Sequence, residues 1–196
     1  MGQKSSKLTT TSDLEQFAAD QEMHLDDVKL LFDAFQRARA ENDDDYITEE
    51  QFKSVLNFSN DLLAHRMFVV FDHDNNGSID FREFIKGLSV FSSGSTLSEK
   101  IAFSFSLYDF DGDKCIDQDE LFTVLNATLQ ASQIELPTDV LREIVASTFA
   151  KVDSDNNGVI DVEEYTRLVQ ENPTILDGLS LSNGLSSLLK HEDAEE

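Results

Sequence analysis

Twelve residues from Asp153 to Glu164, DSDNNGVIDVEE, set oxygen-bearing side chains at the intervals that a hard divalent cation requires. Asp153, Asp155 and Asn157 occupy positions 1, 3 and 5. Gly158 at position 6 permits a sharp turn, and Val159 at position 7 offers its backbone carbonyl. Asp161 at position 9 can reach an ion directly or through water. Glu164 at position 12 can close the site with both carboxylate oxygens. Hard oxygen donors in this number and order suit calcium. A chain with such a segment must place a helix on either side of it, because the last ligand opens the second helix.

The pattern recurs. Asp72 to Glu83, DHDNNGSIDFRE, puts Asp72, Asp74, Asn76, Ser78, Asp80 and Glu83 at the same ligand positions. Asp109 to Glu120, DFDGDKCIDQDE, does so with Asp109, Asp111, Asp113, Cys115, Asp117 and Glu120. These are the loops of helix–loop–helix EF-hands. Each has an isoleucine at position 8, namely Ile79, Ile116 and Ile160, suited to a short strand against a partner loop. The third copy has Lys114 where the others have glycine, and a side chain in a left-handed turn costs on the order of 1 kcal/mol. The five carboxylates at its ligand positions still predict binding. Cys115 would contribute only its carbonyl, with its side chain facing out of the loop.

A fourth, degenerate copy precedes these. Counting back from Ile47 puts Ala40 at position 1 and Gln51 at position 12, so the bidentate glutamate is missing. Counting from Phe35 forces one extra residue into this loop. Asn42, Asp43, Asp44 and Asp45 leave two readings open, weak ion binding and a purely structural hand paired with the second.

The expected fold class is therefore all-α, with four EF-hands in two paired lobes and short antiparallel strands between paired loops. The N-terminal lobe is expected at 24–91, a Ser/Gly linker at 92–98 and the C-terminal lobe at 99–172. An arm and helix at 1–23 come before, with Ser12 and Glu15 as a capping box. Ser98 is the expected cap of the third hand's first helix, and Pro137 is expected in the first turn of the fourth's. Residues 173–196 form an apolar tail. It has two readings, packing on the C-terminal lobe or a plug in the chain's own target groove.

Charge narrows the function. With 39 acids against 15 bases the net charge is −24, which argues against nucleic acid as a partner. Fifteen phenylalanines and a 40% hydrophobic content favour a packed fold over disorder. One cysteine excludes an internal disulfide, and no secretory signal or membrane span is legible, so a cytoplasmic location is expected. The opening residues Met1 to Ser6 fit the myristoylation pattern, with Gly2 as the acceptor. One acyl chain with only Lys4 and Lys7 beside it predicts reversible membrane attachment. No nucleophile–base pair is legible, and the chain has no tryptophan, so an enzyme is not expected.

Four hands with a degenerate first, behind a Gly2 acylation signal, resemble the calcineurin B and plant calcineurin B-like group, near the neuronal calcium sensors. Phe84 to Phe91, Lys100 to Phe103 and Glu120 to Leu125 look like calcineurin B; Asp43 to Ile47 and Asn172 to Leu176 look more like the plant proteins. The resemblance implies a calcium sensor acting as the regulatory subunit of a phosphatase or, next, a protein kinase. Its partner would be an amphipathic helix of that catalytic subunit, held in a calcium-dependent apolar groove. A magnesium ion at rest is a further expectation. A calcium buffer without a partner and a membrane switch of the neuronal-sensor type are the alternatives.

Overall fold

A computed structural model of the chain describes residues 11–20, 23–39, 45–56, 60–90 and 95–179. Gly2, Ala40, Asn42, Asp43, Asp44 and the tail from residue 180 onward lie outside these residues. The described residues fall into two compact units. The first takes those between 11 and 56 together with 71–88; the second takes 60–70 and those from 89 to 179.

The first unit is built from α1 (Thr11–Asp20), α2 (Leu25–Arg39), α3 (Glu49–Leu56) and α5 (Phe81–Ser89). Strands β1 (Tyr46–Ile47) and β2 (Ile79–Asp80) pair antiparallel, with Ile47 opposite Ile79. Both isoleucines are wholly buried. Around them stands a phenylalanine core. Phe81 packs against Phe17, Phe32 and Phe35 with ring centroids 4.9–5.8 Å apart. Phe71 meets Phe52 edge-on at 5.0 Å and Phe84 at 6.5 Å. Rings in tilted and edge-to-face contact add to the area they bury.

Gly87 on α5 is fixed by this packing. A Cβ there would lie 2.4–2.6 Å from the Phe71 ring. Gly87→Ala should gain about 1 kcal/mol in helix propensity. Overpacking a closed core costs about 1–3 kcal/mol, and with the ring so close the larger figure should win. We expect a net loss near 1–2 kcal/mol in chemical denaturation, scaled to the overpacking cost; a stabilised variant would contradict this packing.

The second unit contains most of α4 (Asp61–Phe71), then α6 (Leu97–Tyr108), α7 (Gln118–Ala131), α8 (Thr138–Val152) and α9 (Val162–Glu171). Strands β3 (Cys115–Ile116) and β4 (Ile160–Asp161) pair antiparallel, with Ile116 opposite Ile160. Ile101, Phe105, Val145, Phe149, Tyr165 and Val169 close over these isoleucines. The buried Tyr165 hydroxyl donates to Ser104 Oγ at 2.9 Å, and Ser104 donates to the Ile101 carbonyl. Burial holds the Tyr165 phenol far above its usual pKa, so it remains a donor. Ile175 and Leu176, in the short 3-10 helix Pro173–Leu179, pack against the same core, as the packing reading of the tail requires for its first residues.

The all-α fold of paired hands is thus as expected, but three helix starts are not. Helix α1 begins at Thr11, so Ser12 lies inside it and is not its cap. Thr96, not Ser98, caps α6: its hydroxyl accepts from the Glu99 N–H while the Glu99 carboxylate accepts from the Thr96 N–H. The box needs a hydroxyl three residues before a carboxylate, and Thr96–Glu99 meets that spacing. Pro137 stands one residue before α8 as its cap rather than inside the first turn.

Candidate metal centres

Each acidic loop gathers its first, third and last carboxylates. Asp72, Asp74 and Glu83 form one cluster; Asp109, Asp111 and Glu120 a second; Asp153, Asp155 and Glu164 a third. Within each, the candidate ligand atoms lie within 4.8 Å of one another. The first belongs to the first unit and the other two to the second.

The backbone folds onto these side chains three times in closely similar ways, the third loop differing at position 1. Position 1 accepts from the N–H groups further round the loop: Asp72 from Asn76 and Gly77, Asp109 from Gly112 and Lys114, Asp153 from Asn157 and Gly158. Position 3 accepts from position 5, at 3.1–3.2 Å, in all three loops. Position 5 accepts from position 7: Asn76 from Ser78, Asp113 from Cys115, Asn157 from Val159. Short Asx-type turns of this kind shape the loops. Asp113 lies outside the carboxylate cluster of its loop.

The last glutamate of each loop has two tasks. One oxygen accepts from the N–H of position 9, at Asp80, Asp117 or Asp161, while the position-9 carboxylate accepts from the glutamate's own N–H. This is a capping box, and it starts α5, α7 and α9. The other oxygen accepts from the N–H of position 2, at His73, Phe110 or Ser154, at 2.7–3.0 Å. The glutamate thus ties the beginning of the loop to the beginning of the following helix. Asp80, Asp117 and Asp161, expected as ligands, lie outside the clusters and serve here as helix caps.

Lys114 has φ of 70°, the left-handed turn expected at position 6. What the spacing did not show is a second left-handed residue, at position 4. There the other loops have Asn75 and Asn156, at φ 54° and 57°, while the third has Gly112, at φ 77°. The third loop therefore moves its glycine two residues earlier, and Gly112 relieves part of the strain that Lys114 adds. Desolvation, with Asp113, Asp161, Asp109 and Glu120 nearby, pushes the Cys115 thiol pKa up. Desolvation also raises the Glu83 carboxyl, against the pull of its backbone hydrogen bonds.

The end of the degenerate loop keeps the box without its carboxylates. Gln51 Oε1 accepts from the Thr48 N–H at 2.8 Å, and the Gln51 N–H points back to Thr48 Oγ1. This is the same box with both carboxylates replaced. Asp45 is paired with Arg39 at 3.0 Å, so a guanidinium already neutralises it.

Both pairs of hands match known families. A family model for an EF-hand domain pair covers residues 98–170, and another for such a pair covers 43–88. Calcineurin B of Schizosaccharomyces pombe is 39% identical over 123 residues, 63% of this chain and 69% of the relative. This chain belongs to the calcineurin B and calcineurin B-like group of EF-hand calcium sensors. Calcineurin B of Candida glabrata is 38% identical over 124 residues, 69% of its length. Calcineurin B-like protein 5 of Arabidopsis thaliana is 32% identical over 143 residues, 71% of this chain and 70% of the relative. Membership in the calcineurin B group agrees with both the paired hands and the acidic loops. The donor set suits Ca²⁺: each cluster offers carboxylate oxygens alone, with no nitrogen or sulfur donor. No helix among the described residues is long and apolar enough to cross a membrane.

Proposed function

We propose that this chain is a calcium sensor with three sites and that it acts, without catalysing a reaction, as the regulatory subunit of a phosphatase or protein kinase. Calcium would be held by Asp72, Asp74, Asn76, Ser78, Asp80 and Glu83; by Asp109, Asp111, Asp113, Cys115, Asp117 and Glu120; and by Asp153, Asp155, Asn157, Val159, Asp161 and Glu164. Position 7 would act through its carbonyl. Magnesium can occupy such oxygen sites at resting calcium. The observation that carries the reading is the threefold carboxylate clustering in a member of the calcineurin B group.

Bound calcium would cancel the repulsion among each loop's carboxylates. Glu83, Glu120 and Glu164 sit at the third residue of α5, α7 and α9, so any movement of these carboxylates carries the helix with it. In the second unit Ile134, Leu136, Val140 and Ile144 stand exposed on and just before α8. Exposed aliphatic residues at this spacing suit the apolar face of an amphipathic partner helix. The lobes are assigned to 24–91 and 99–172, joined at 92–98, between an arm at 1–23 and an apolar tail at 173–196. Gly2 acylation would add reversible membrane attachment to a cytoplasmic protein.

The test is calorimetry of the full chain against a synthetic amphipathic helix from a calcineurin-type catalytic subunit, with calcium and with chelator. Binding at micromolar or lower Kd only with calcium is the expected result. An apolar dye whose fluorescence ignores calcium, together with no peptide binding, would instead identify a buffer.

A further inference from the structure

Arg66 is a buried cation in the middle of the apolar helix α4, only 6% exposed. Its guanidinium is directed at the far end of α6. It donates to the carbonyls of Ser106 at 2.7 Å, Phe110 at 3.3 Å, Leu107 at 3.4 Å and, closest of all, Asp109. It also lies 4.4 Å over the Phe110 ring. The last carbonyls of a helix have no partner within it, and a cation there is favoured by the helix dipole. Arg66 therefore closes α6 from outside, using the fork of donors that lysine lacks.

Two of these carbonyls belong to the third acidic loop, as its positions 1 and 2. The Asp109 carbonyl and the Phe110 N–H are the two ends of one peptide group. Arg66 donates to the first, and the second donates to Glu120 Oε1 at 2.7 Å. A single peptide thus links a buried guanidinium to the carboxylate that closes the loop. Hydrogen bonds in such a chain strengthen one another. The same helix is also anchored at its beginning, where Asn60 Nδ2 donates to the Ala127 carbonyl of α7 at 3.1 Å. Both helices of the third hand are therefore braced by α4.

We propose that Arg66 is a positioning residue for the third loop: it holds the Asp109–Phe110 peptide so that Glu120 is already placed for calcium, and so sets that loop's affinity. Burial lowers the Arg66 pKa, and the negative charges of Asp109 and Glu120 oppose that lowering, an attraction that would also offset their mutual repulsion. The third loop has most need of such support, since Lys114 occupies its left-handed turn. This role rests on calcium being the loop's ligand.

Each loop contains its own glycine reporter, Gly77, Gly112 or Gly158. Calcium titration of the full chain, followed by the amide resonances of these three, reads the loops separately. In Arg66→Met the half-point of Gly112 should rise about 10–100-fold, the usual effect of removing a partner behind a metal ligand. Gly77 and Gly158 should move less than about threefold, well under that range. Arg66→Lys keeps the charge, loses the fork and should fall between, and it serves if the Met variant does not fold. Gly112 within twofold of the parent in Arg66→Met, an equal shift at all three glycines, or a Lys variant indistinguishable from the parent would each overturn the assignment. A Gly112 signal that ignores calcium in the parent chain would instead remove the third site itself, and the role of Arg66 with it.

Discussion

Glu164→Gln is expected to weaken calcium at the fourth hand about a hundredfold, the interval that separates sensor sites from weak extracellular ones. The substitution removes one oxygen donor and one negative charge. It should leave the fold in place, because the chain already contains the experiment. At the first hand Gln51 stands where the glutamate would be, and its box with Thr48 is intact. The amide oxygen of the variant can still accept from the Asp161 N–H. What it loses is the second acceptor, which now holds both the N–H and the hydroxyl of Ser154 at 2.7 Å. Ser154 is exposed, so water can take the place of the lost acceptor, and metal-free stability should fall by no more than about 1 kcal/mol, the net worth of an ordinary hydrogen bond. Calorimetric titration should show one site fewer in the micromolar range, with an unchanged far-UV spectrum. An unaltered titration would remove Glu164 from the ligand set.

The second large effect is metal removal. A site kept at a hundred times its Kd contributes about 2.7 kcal/mol, so three sites together contribute about 8 kcal/mol. That is comparable with the whole stability of an ordinary domain, about 5–15 kcal/mol. Chelation should therefore lower the melting temperature by more than about 15 °C, at the usual few degrees per kcal/mol. Among the described residues the first unit has one acidic cluster and the second has two, so the second should lose more. Melting followed by circular dichroism, with and without chelator, measures this. Transitions that coincide within about 2 °C would mean that the clusters hold no calcium in the folded chain, given the linkage between binding and stability.

The three carboxylate clusters were legible because an acidic loop writes its chemistry in side-chain identity at fixed intervals. Asp153 to Glu164 could be read residue by residue, and so could the strand isoleucines, whose four copies are all buried in pairs. The double duty of the position-12 glutamate was not legible. A capping box and a metal clamp both ask for an acid at the same place, so the letters do not tell them apart. The role of Gly112 was not legible either, because the left-handed turn at position 4 is taken by asparagine in the other loops. Arg66 was hidden for a different reason. Its partners are backbone carbonyls 40–44 residues away, and a carbonyl carries no signature in sequence. The only clue was a lone charge among Leu62, Leu63, Met67 and Phe68, a position that burial would make costly unless something met it.

The two strand pairs differ in what they join. In the second unit β3 and β4 run between two acidic loops; in the first, β1 and β2 run between one such loop and one closed by Gln51. An ion that steadies one strand lowers the ordering cost for its neighbour, and among the described residues only the second unit has an acidic cluster on both sides of its strand pair. Its occupancy should climb steeply, as a threshold, while the first unit follows concentration as a gradual dial. One molecule would then report both the size of a calcium pulse and whether it crossed a set level.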